Sequence, residues 1–135
     1  MSILDRFSSI MSDDVSHLME SEDASKIEFQ LVNIFNTLDD VESEIEEATA
    51  NQTYMNNEVI KYRAQVMKYE EAAIKAFSGG DEEKARQMLE IKVLWQVRMN
   101  SAREKLKALN KSLDSLNEMK SKLLCDASRL KEVPI

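Results

Sequence analysis

The feature that most constrains this chain is a long heptad pattern of apolar residues, interrupted once by its only two glycines, Gly79 and Gly80. Apolar side chains recur at alternating intervals of four and three residues from Ile27 to Ala76, and again from Ala85 to Leu130. A spacing of about 3.5 residues keeps one seam facing a partner helix only if the two helices supercoil. The sequence therefore predicts two very long helices that fold back on each other at the glycines.

This heptad stripe is apolar at 14 of 15 positions before the glycines and at 12 of 14 after them. The exceptions are Gln52, Lys92 and Lys120, which we interpret as setting the register or extending to solvent rather than binding a ligand. The aromatic stripe residues are interpreted as core. Antiparallel arms predict neighbours whose numbers sum to about 157, and these pairs are Tyr62 with Trp95, Tyr69 with Met88, Val59 with Met99, and Leu31 with Ala127.

Composition agrees with an all-α fold in one domain. The 135 residues are 43% hydrophobic and 32% charged, and 6% aromatic residues with a single proline leave little material for sheets and turns. We expect a long antiparallel two-helix coiled-coil hairpin preceded by a short amphipathic helix. The expected segments of this single domain, residues 1–135, are the amphipathic helix 1–20, the first arm 24–77, the turn 78–81 and the second arm 82–132.

Local signals support the ends of these helices. Ser21 or Asp23 can cap the first arm, and Pro134 marks the end of the second. Gly79 and Gly80 permit the left-handed backbone that ends a helix. Acidic residues from Asp81 onward suit the start of the next helix.

Charge is distributed unevenly around a net value of −7. The hairpin would place the acidic stretch 39–47 beside lysines of the second arm, so these charges are expected to set the register. The lysines concerned are Lys105, Lys107, Lys111, Lys120 and Lys122. Because they would face acids of their own chain, we expect no nucleic-acid partner.

The N-terminal segment has one apolar face, formed by Ile3, Leu4, Phe7, Ile10, Met11, Val15 and Leu18. Two interpretations are open: this face enters a membrane interface through Ile3, Leu4, Phe7, Ile10 and Met11, or it packs against the hairpin. Its polar side is acidic, unlike the basic face that binds anionic lipid strongly. No secretory signal or membrane-spanning stretch is evident. The single Cys125 agrees with a reducing cytosol.

Apolar residues outside the stripe predict a further partner, which could be the N-terminal helix, a second copy or another protein. These residues are Val32, Phe35, Ile60, Met67, Ile74, Phe77, Leu89, Val93, Leu94, Val97 and Leu124.

The sequence offers no constellation for catalysis, a cofactor or a metal. His17 is the only histidine, which excludes His-pair metal motifs, and Cys125 has no histidine in a nucleophile pattern. The acidic stretch 39–47 is interpreted as a solvated face, because catalytic carboxylate pairs need a desolvated cleft. We therefore expect a protein that is not an enzyme.

Two blocks of sequence resemble the phage shock protein A family, which includes the plastid vesicle-inducing proteins. The first runs from Met1 to Met11 and then from His17 to Asp23. The second, residues 72–92, resembles the family's hairpin tip, in which an alanine-rich stretch leads into Gly-Asp/Glu-acid-x-Ala-Arg-x-x-Leu; this chain has Gly-Asp-Glu-Glu-Lys-Ala-Arg at residues 80–86. The chain departs from the family pattern at Ala24, where proline is usual, and it stops where longer members continue into further helices.

The resemblance implies an ESCRT-III-like helical hairpin that is cytoplasmic and peripheral on the bacterial inner membrane. It implies a role in the envelope stress response, membrane contact through the N-terminal helix, self-association, and binding of an AAA+ transcriptional activator by the hairpin. The expected partner-binding residues at the hairpin tip are Phe77, Gly79, Gly80, Asp81 and Arg86. The alternative is a coiled-coil adaptor or oligomerisation module without a membrane role.

Overall fold

The computed structural model of the chain describes residues 2–12 and 24–131, and this part is helical. The helices are α1 (Ile3–Ser12), α2 (Ala24–Ser78) and α3 (Glu82–Lys131). Helices α2 and α3 pack together as a helical hairpin, which confirms the predicted all-α fold. Some predicted features lie outside the described residues, namely the second half of the N-terminal helix, His17, the caps Ser21 and Asp23, and Pro134.

The heptad stripe forms the core. Within the described ranges, every buried apolar side chain except Ile10 belongs to the predicted stripe. All eleven apolar residues predicted to lie off the stripe are exposed. The periodicity alone therefore located both the buried seam and the apolar surface that the seam leaves uncovered.

The chain divides into two compact units. The first, called here the α1 unit, combines Met1–Ala48 with Ser112–Ile135. Its core contains Ile10 from α1, stripe residues of α2 such as Ile34 and Val41, and stripe residues of α3 such as Leu123. Three helices thus contribute to one apolar cluster.

The second unit, called here the turn unit, is Thr49–Lys111. Helix α2 ends in a Schellman motif: Gly80 has a φ of 83°, its N–H bonds to the carbonyl of Phe77 at 3.1 Å, and the Asp81 N–H bonds to Ala76 at 2.9 Å. The Asp81 carboxylate then accepts a 3.0 Å bond from the Lys84 N–H and caps α3. Asp81 is therefore a helix cap rather than a residue of the first helical turn.

Contacts between the arms of the turn unit follow the predicted antiparallel order. The rings of Tyr62 and Trp95 have their centroids 5.8 Å apart, which confirms that predicted pair. The polar stripe residue Gln52 donates a 2.6 Å hydrogen bond to Asn110. Lys92 extends from the seam so that its Nζ lies 3.5 Å from Glu70.

In the α1 unit, the charges only partly follow the predicted pairing. Lys120 Nζ lies 3.7 Å from Glu42, as the antiparallel arrangement requires. Lys122 pairs instead with Glu118 of its own helix, at 3.1 Å. Asp40 pairs with Arg6 of α1. Since exposed pairs contribute about 0.2–1 kcal/mol each, the apolar seam supplies most of the stability.

Candidate functional site

Helix α1 lies with its apolar side against the base of the hairpin. Ile10 is only 2% exposed, and Ile3, Phe7 and Met11 are partly buried against the same core cluster. Leu4 is 59% exposed. Of the five residues predicted to enter a membrane, one is therefore buried by the chain itself and three are partly buried, which agrees with the packing interpretation left open by the sequence.

One polar contact caps α1, and a second joins it to α2. The Ser2 hydroxyl accepts a 3.1 Å hydrogen bond from the Asp5 N–H and caps the helix. One turn further on, the Arg6 guanidinium forms an ion pair with the Asp40 carboxylate of α2. Both side chains of this pair are partly exposed, so the pair orients α1 more than it stabilises the docked position.

The side of the hairpin that receives α1 can be identified from the heptad. Gln30 and Thr37 flank the seam seven residues apart, and both are buried although they are polar. Asp40 lies one turn beyond Thr37 on the same flank. The Arg6–Asp40 pair therefore places α1 beside this flank of α2.

The α1 contact is incompletely satisfied. Arg6 Nε and Gln30 Nε2 are buried, and neither finds a hydrogen-bond partner among the described residues. A buried donor without a partner costs about 1–3 kcal/mol. A cleft of about 180 Å³ also lies beside Phe7, bounded by Ser115 and Met119 of α3. These features reduce the net gain from burying the apolar side of α1.

The turn unit presents the predicted partner-binding residues at the tip. Phe77 is 68% exposed, and Gly79, Gly80, Asp81 and Arg86 are exposed with it. Phe77 follows the last buried stripe positions of α2, where the arms end and no longer cover it. The tip therefore combines an exposed aromatic ring with an acidic and a basic side chain.

An open groove of about 340 Å³ runs along one side of the turn unit. Its lining includes Tyr54, Glu58, Tyr62, Arg98 and Lys105. A hydrogen bond to the Glu58 carboxylate is the largest cause that raises the pKa of the Tyr62 hydroxyl above its usual range, and desolvation is the next. The groove thus combines hydrogen-bond donors with side chains of both charges, and it is open to solvent.

The described ranges contain no cluster of three or more His, Cys, Asp or Glu side chains placed to hold a metal ion. None of the described helices combines the length and apolar character needed to cross a membrane.

Several of these features were not predicted from the sequence. The Arg6–Asp40 pair joins residues on separate helices, and no periodicity signals it. Gln30 and Thr37 are seven residues apart and therefore lie on the same flank of the seam. This spacing was a usable signal that the two residues share one environment. The groove residues were not predicted, although Glu58, Arg98 and Lys105 occupy heptad positions beside the stripe.

Comparison with protein-family models, with curated protein sequences and with solved structures gives no match to this chain.

Proposed function

We propose that this chain is a non-enzymatic, phage shock protein A-like protein of the envelope stress response. In this proposal it is cytoplasmic and peripheral on the inner membrane, and its N-terminal helix binds the membrane surface. The hairpin supplies the surfaces for self-association and for protein partners, among them an AAA+ transcriptional activator. The sequence resemblance at residues 1–11 and 72–92 motivates the family assignment.

The observation that carries the proposal is the docked but incompletely satisfied α1. Its apolar side, with Ile10 at the centre, has the composition expected of an interfacial helix. The unpartnered Arg6 Nε and the cleft beside Phe7 lower the cost of undocking. The docked arrangement then represents the state away from the membrane, and the same residues enter the interface when α1 is released.

Vesicle co-sedimentation of the full chain tests this proposal. We expect the protein to pellet with vesicles that contain phosphatidylglycerol. Asp40→Asn should increase the bound fraction by at most about fivefold, because it removes an exposed ion pair with Arg6 that contributes no more than about 1 kcal/mol, while leaving α1 unchanged. Asp39→Asn is the matched control, since it makes the same charge change at the neighbouring exposed position. If the full chain and both variants stay in the supernatant with anionic and with packing-defective vesicles, the membrane role is wrong.

Leu4 provides a second test that does not disturb docking. Because the side chain is already exposed, Leu4→Asp should leave the thermal unfolding midpoint unchanged. It should reduce vesicle binding, since a charge would then sit on the inserting face. Equal binding by Leu4→Asp and the unmodified chain would argue against insertion of this face.

Partner binding at the tip requires a separate measurement. We expect the full chain to lower the ATPase rate of a cognate AAA+ activator, and Phe77→Ala to weaken this effect by removing the exposed ring. Val97→Ala removes a comparably exposed apolar side chain elsewhere on the turn unit and is the control. An ATPase rate that excess protein leaves unchanged would contradict this part of the proposal.

The second candidate is a coiled-coil adaptor without a membrane role. The covered apolar side of α1 favours it, because a helix that completes a core needs no second use. The two candidates predict opposite results for Asp40→Asn in the vesicle experiment: more lipid binding for the first, none for the second.

A further inference from the structure

One side of the turn unit exposes a regular row of large apolar residues. Ile60, Met67 and Ile74 repeat at intervals of seven along α2, and each is between 59% and 66% exposed. A repeat of seven keeps these side chains on one line along the helix. Helix α2 therefore carries a second apolar stripe in addition to the one buried in the seam.

Helix α3 extends this surface. The seam residues of each arm occupy the a and d positions of the heptad. With this labelling, the b positions include Ile60, Met67, Ile74 and Val93, and the e positions include Phe77 and Leu89. In an antiparallel pair the e positions of both helices border the same side of the seam, with the b positions next to them. These six exposed residues form one surface, called here the b/e face: Ile60, Met67, Ile74, Phe77, Leu89 and Val93.

The charges within the b/e face are arranged with opposite signs about its middle. Arg63 lies between Ile60 and Met67, and Glu70 lies between Met67 and Ile74. The Glu70 carboxylate also lies 3.5 Å from Lys92 Nζ of the same chain, and half of its side chain remains exposed. Along α2, apolar and charged residues therefore alternate about Met67. Reading the helix from its other end gives the same alternation, but the positive and the negative residue exchange places. Such an order fits an identical helix running in the opposite direction and centred at Met67.

We propose that the b/e face binds a second copy of this chain through a two-fold axis beside Met67. Antiparallel pairing of α2 with the partner's α2 places Met67 against its own equivalent and Ile60 against Ile74. It also places Arg63 opposite Glu70, twice across the axis, because a two-fold interface uses the same patch on both chains. A helix of unrelated sequence has no reason to match this reversal of charge.

Helix α3 fits the same axis. The contact of Tyr62 with Trp95 sets the register so that Leu89 lies about level with Met67. Face-to-face stacking of two hairpins about the axis then brings Leu89 near its own equivalent, and Val93 near the aliphatic part of Arg86. Both arms of each hairpin therefore contribute apolar contacts on either side of the axis.

The size of the b/e face is sufficient for a dimer. Six side chains with these exposures present on the order of 700 Å² per chain, close to the roughly 800 Å² per partner of a standard interface. A patch of this extent also reaches the upper end of what a typical monomer leaves uncovered.

Charge reversal provides the test, with sedimentation velocity of the full chain as the measurement. We expect the unmodified protein to be dimeric at micromolar concentration. Arg63→Glu alone and Glu70→Arg alone should each weaken dimerisation at least tenfold, because each places two like-charged pairs across the axis. A one-to-one mixture of the two variants should dimerise again, since both pairs then carry opposite charges.

The possible outcomes are distinct. Recovery of dimers in the mixture supports the proposed axis, whereas dimers that survive both single variants, or a mixture that stays monomeric, overturn it. A monomeric unmodified protein at high micromolar concentration also overturns it. Circular dichroism of each variant verifies that the helices are retained.

Cross-linking gives a second measurement that does not depend on charge. In a Cys125→Ser background, Met67→Cys should form an intermolecular disulfide under mild oxidation, because the axis brings the two equivalent residues together. Leu94→Cys is the matched control, since Leu94 is equally exposed but occupies a c position on the other side of α3. Cross-linking that is no faster at residue 67 than at residue 94 counts against the b/e face.

This inference deepens the self-association contained in the proposed function and rests on it, but it does not depend on membrane binding. The charge-reversal experiment measures association through the b/e face, and the vesicle experiment measures lipid binding by α1. Dimerisation without vesicle binding would support this interface and contradict the membrane role. Vesicle binding without dimerisation would support the membrane role and contradict this interface.

Discussion

At the scale of single residues, the two adjacent glycines have different roles. Gly80 has a φ of 83°, in the left-handed region where a Cβ is strained. Gly79 is not in that region, and a Cβ there would meet the Lys75 carbonyl oxygen at 3.4 Å, an ordinary contact. Gly80 is thus required by backbone conformation, whereas neither the backbone conformation nor the space around it requires glycine at position 79.

We therefore predict that Gly80→Ala lowers the free energy of unfolding by about 1 kcal/mol or more. Gly79→Ala should be neutral or slightly stabilising, because it reduces the freedom of the unfolded chain without strain. Chemical denaturation of both variants checks this. Equal losses at the two positions would mean that the turn, not the conformation of Gly80, sets the cost.

Asp126 is a second residue with a predictable effect. Burial is the main cause that raises the pKa of its carboxyl, while Arg129, with its guanidinium 4.0 Å away, acts in the opposite direction. A raised folded-state pKa means that folding favours the protonated form. The ionised carboxyl therefore costs stability above its folded pKa, and this cost disappears as the pH falls below the unfolded pKa of about 3.9.

Asp126→Asn should consequently raise the thermal unfolding midpoint by a few degrees at neutral pH. The gain should shrink with decreasing pH and vanish near pH ~3. Thermal denaturation across this range is the measurement. Asp114→Asn makes the same charge change at an exposed position of α3 and serves as the control. A gain that persists at the acidic end would contradict the proposed origin of the effect.

At the scale of elements, α1 owes its position to one fully buried side chain. Ile10→Ala should cost about 2 kcal/mol by deleting apolar contacts and leaving a cavity in the core of the α1 unit. Leu4→Ala on the same helix should change stability by less than about 0.5 kcal/mol, because Leu4 is exposed. Hydrogen exchange of the α1 amides would show selectively faster exchange in Ile10→Ala.

The long helices were predictable from sequence because their stabilising contacts repeat every seven residues. The same periodicity identified the exposed positions, such as Met67 and Leu94, as well as the buried ones. The contact of α1 was not predictable in the same way. Its orientation depends on Arg6 meeting Asp40, and nothing near either residue in the sequence encodes that distance.

At the scale of the whole molecule, dimerisation through the b/e face has a thermodynamic signature. The thermal unfolding midpoint should rise with protein concentration, because association stabilises the folded state by mass action. Met67→Glu should abolish this dependence by placing two carboxylates at the axis. Leu94→Glu, with the same change on the other side of α3, should retain it. A midpoint independent of concentration in the unmodified chain would argue against the dimer.

The arrangement of the α1 unit also dictates an order of assembly during synthesis. Ile10 leaves the ribosome more than one hundred residues before Leu116 and Leu123, which complete its cluster. At roughly 5–20 residues per second, this delay is on the order of ten seconds. The hairpin contacts nearest Gly80 are the most local and close first, and those at the base close last. Throughout that interval, the apolar side of the first helix has no completed surface on its own chain to cover it.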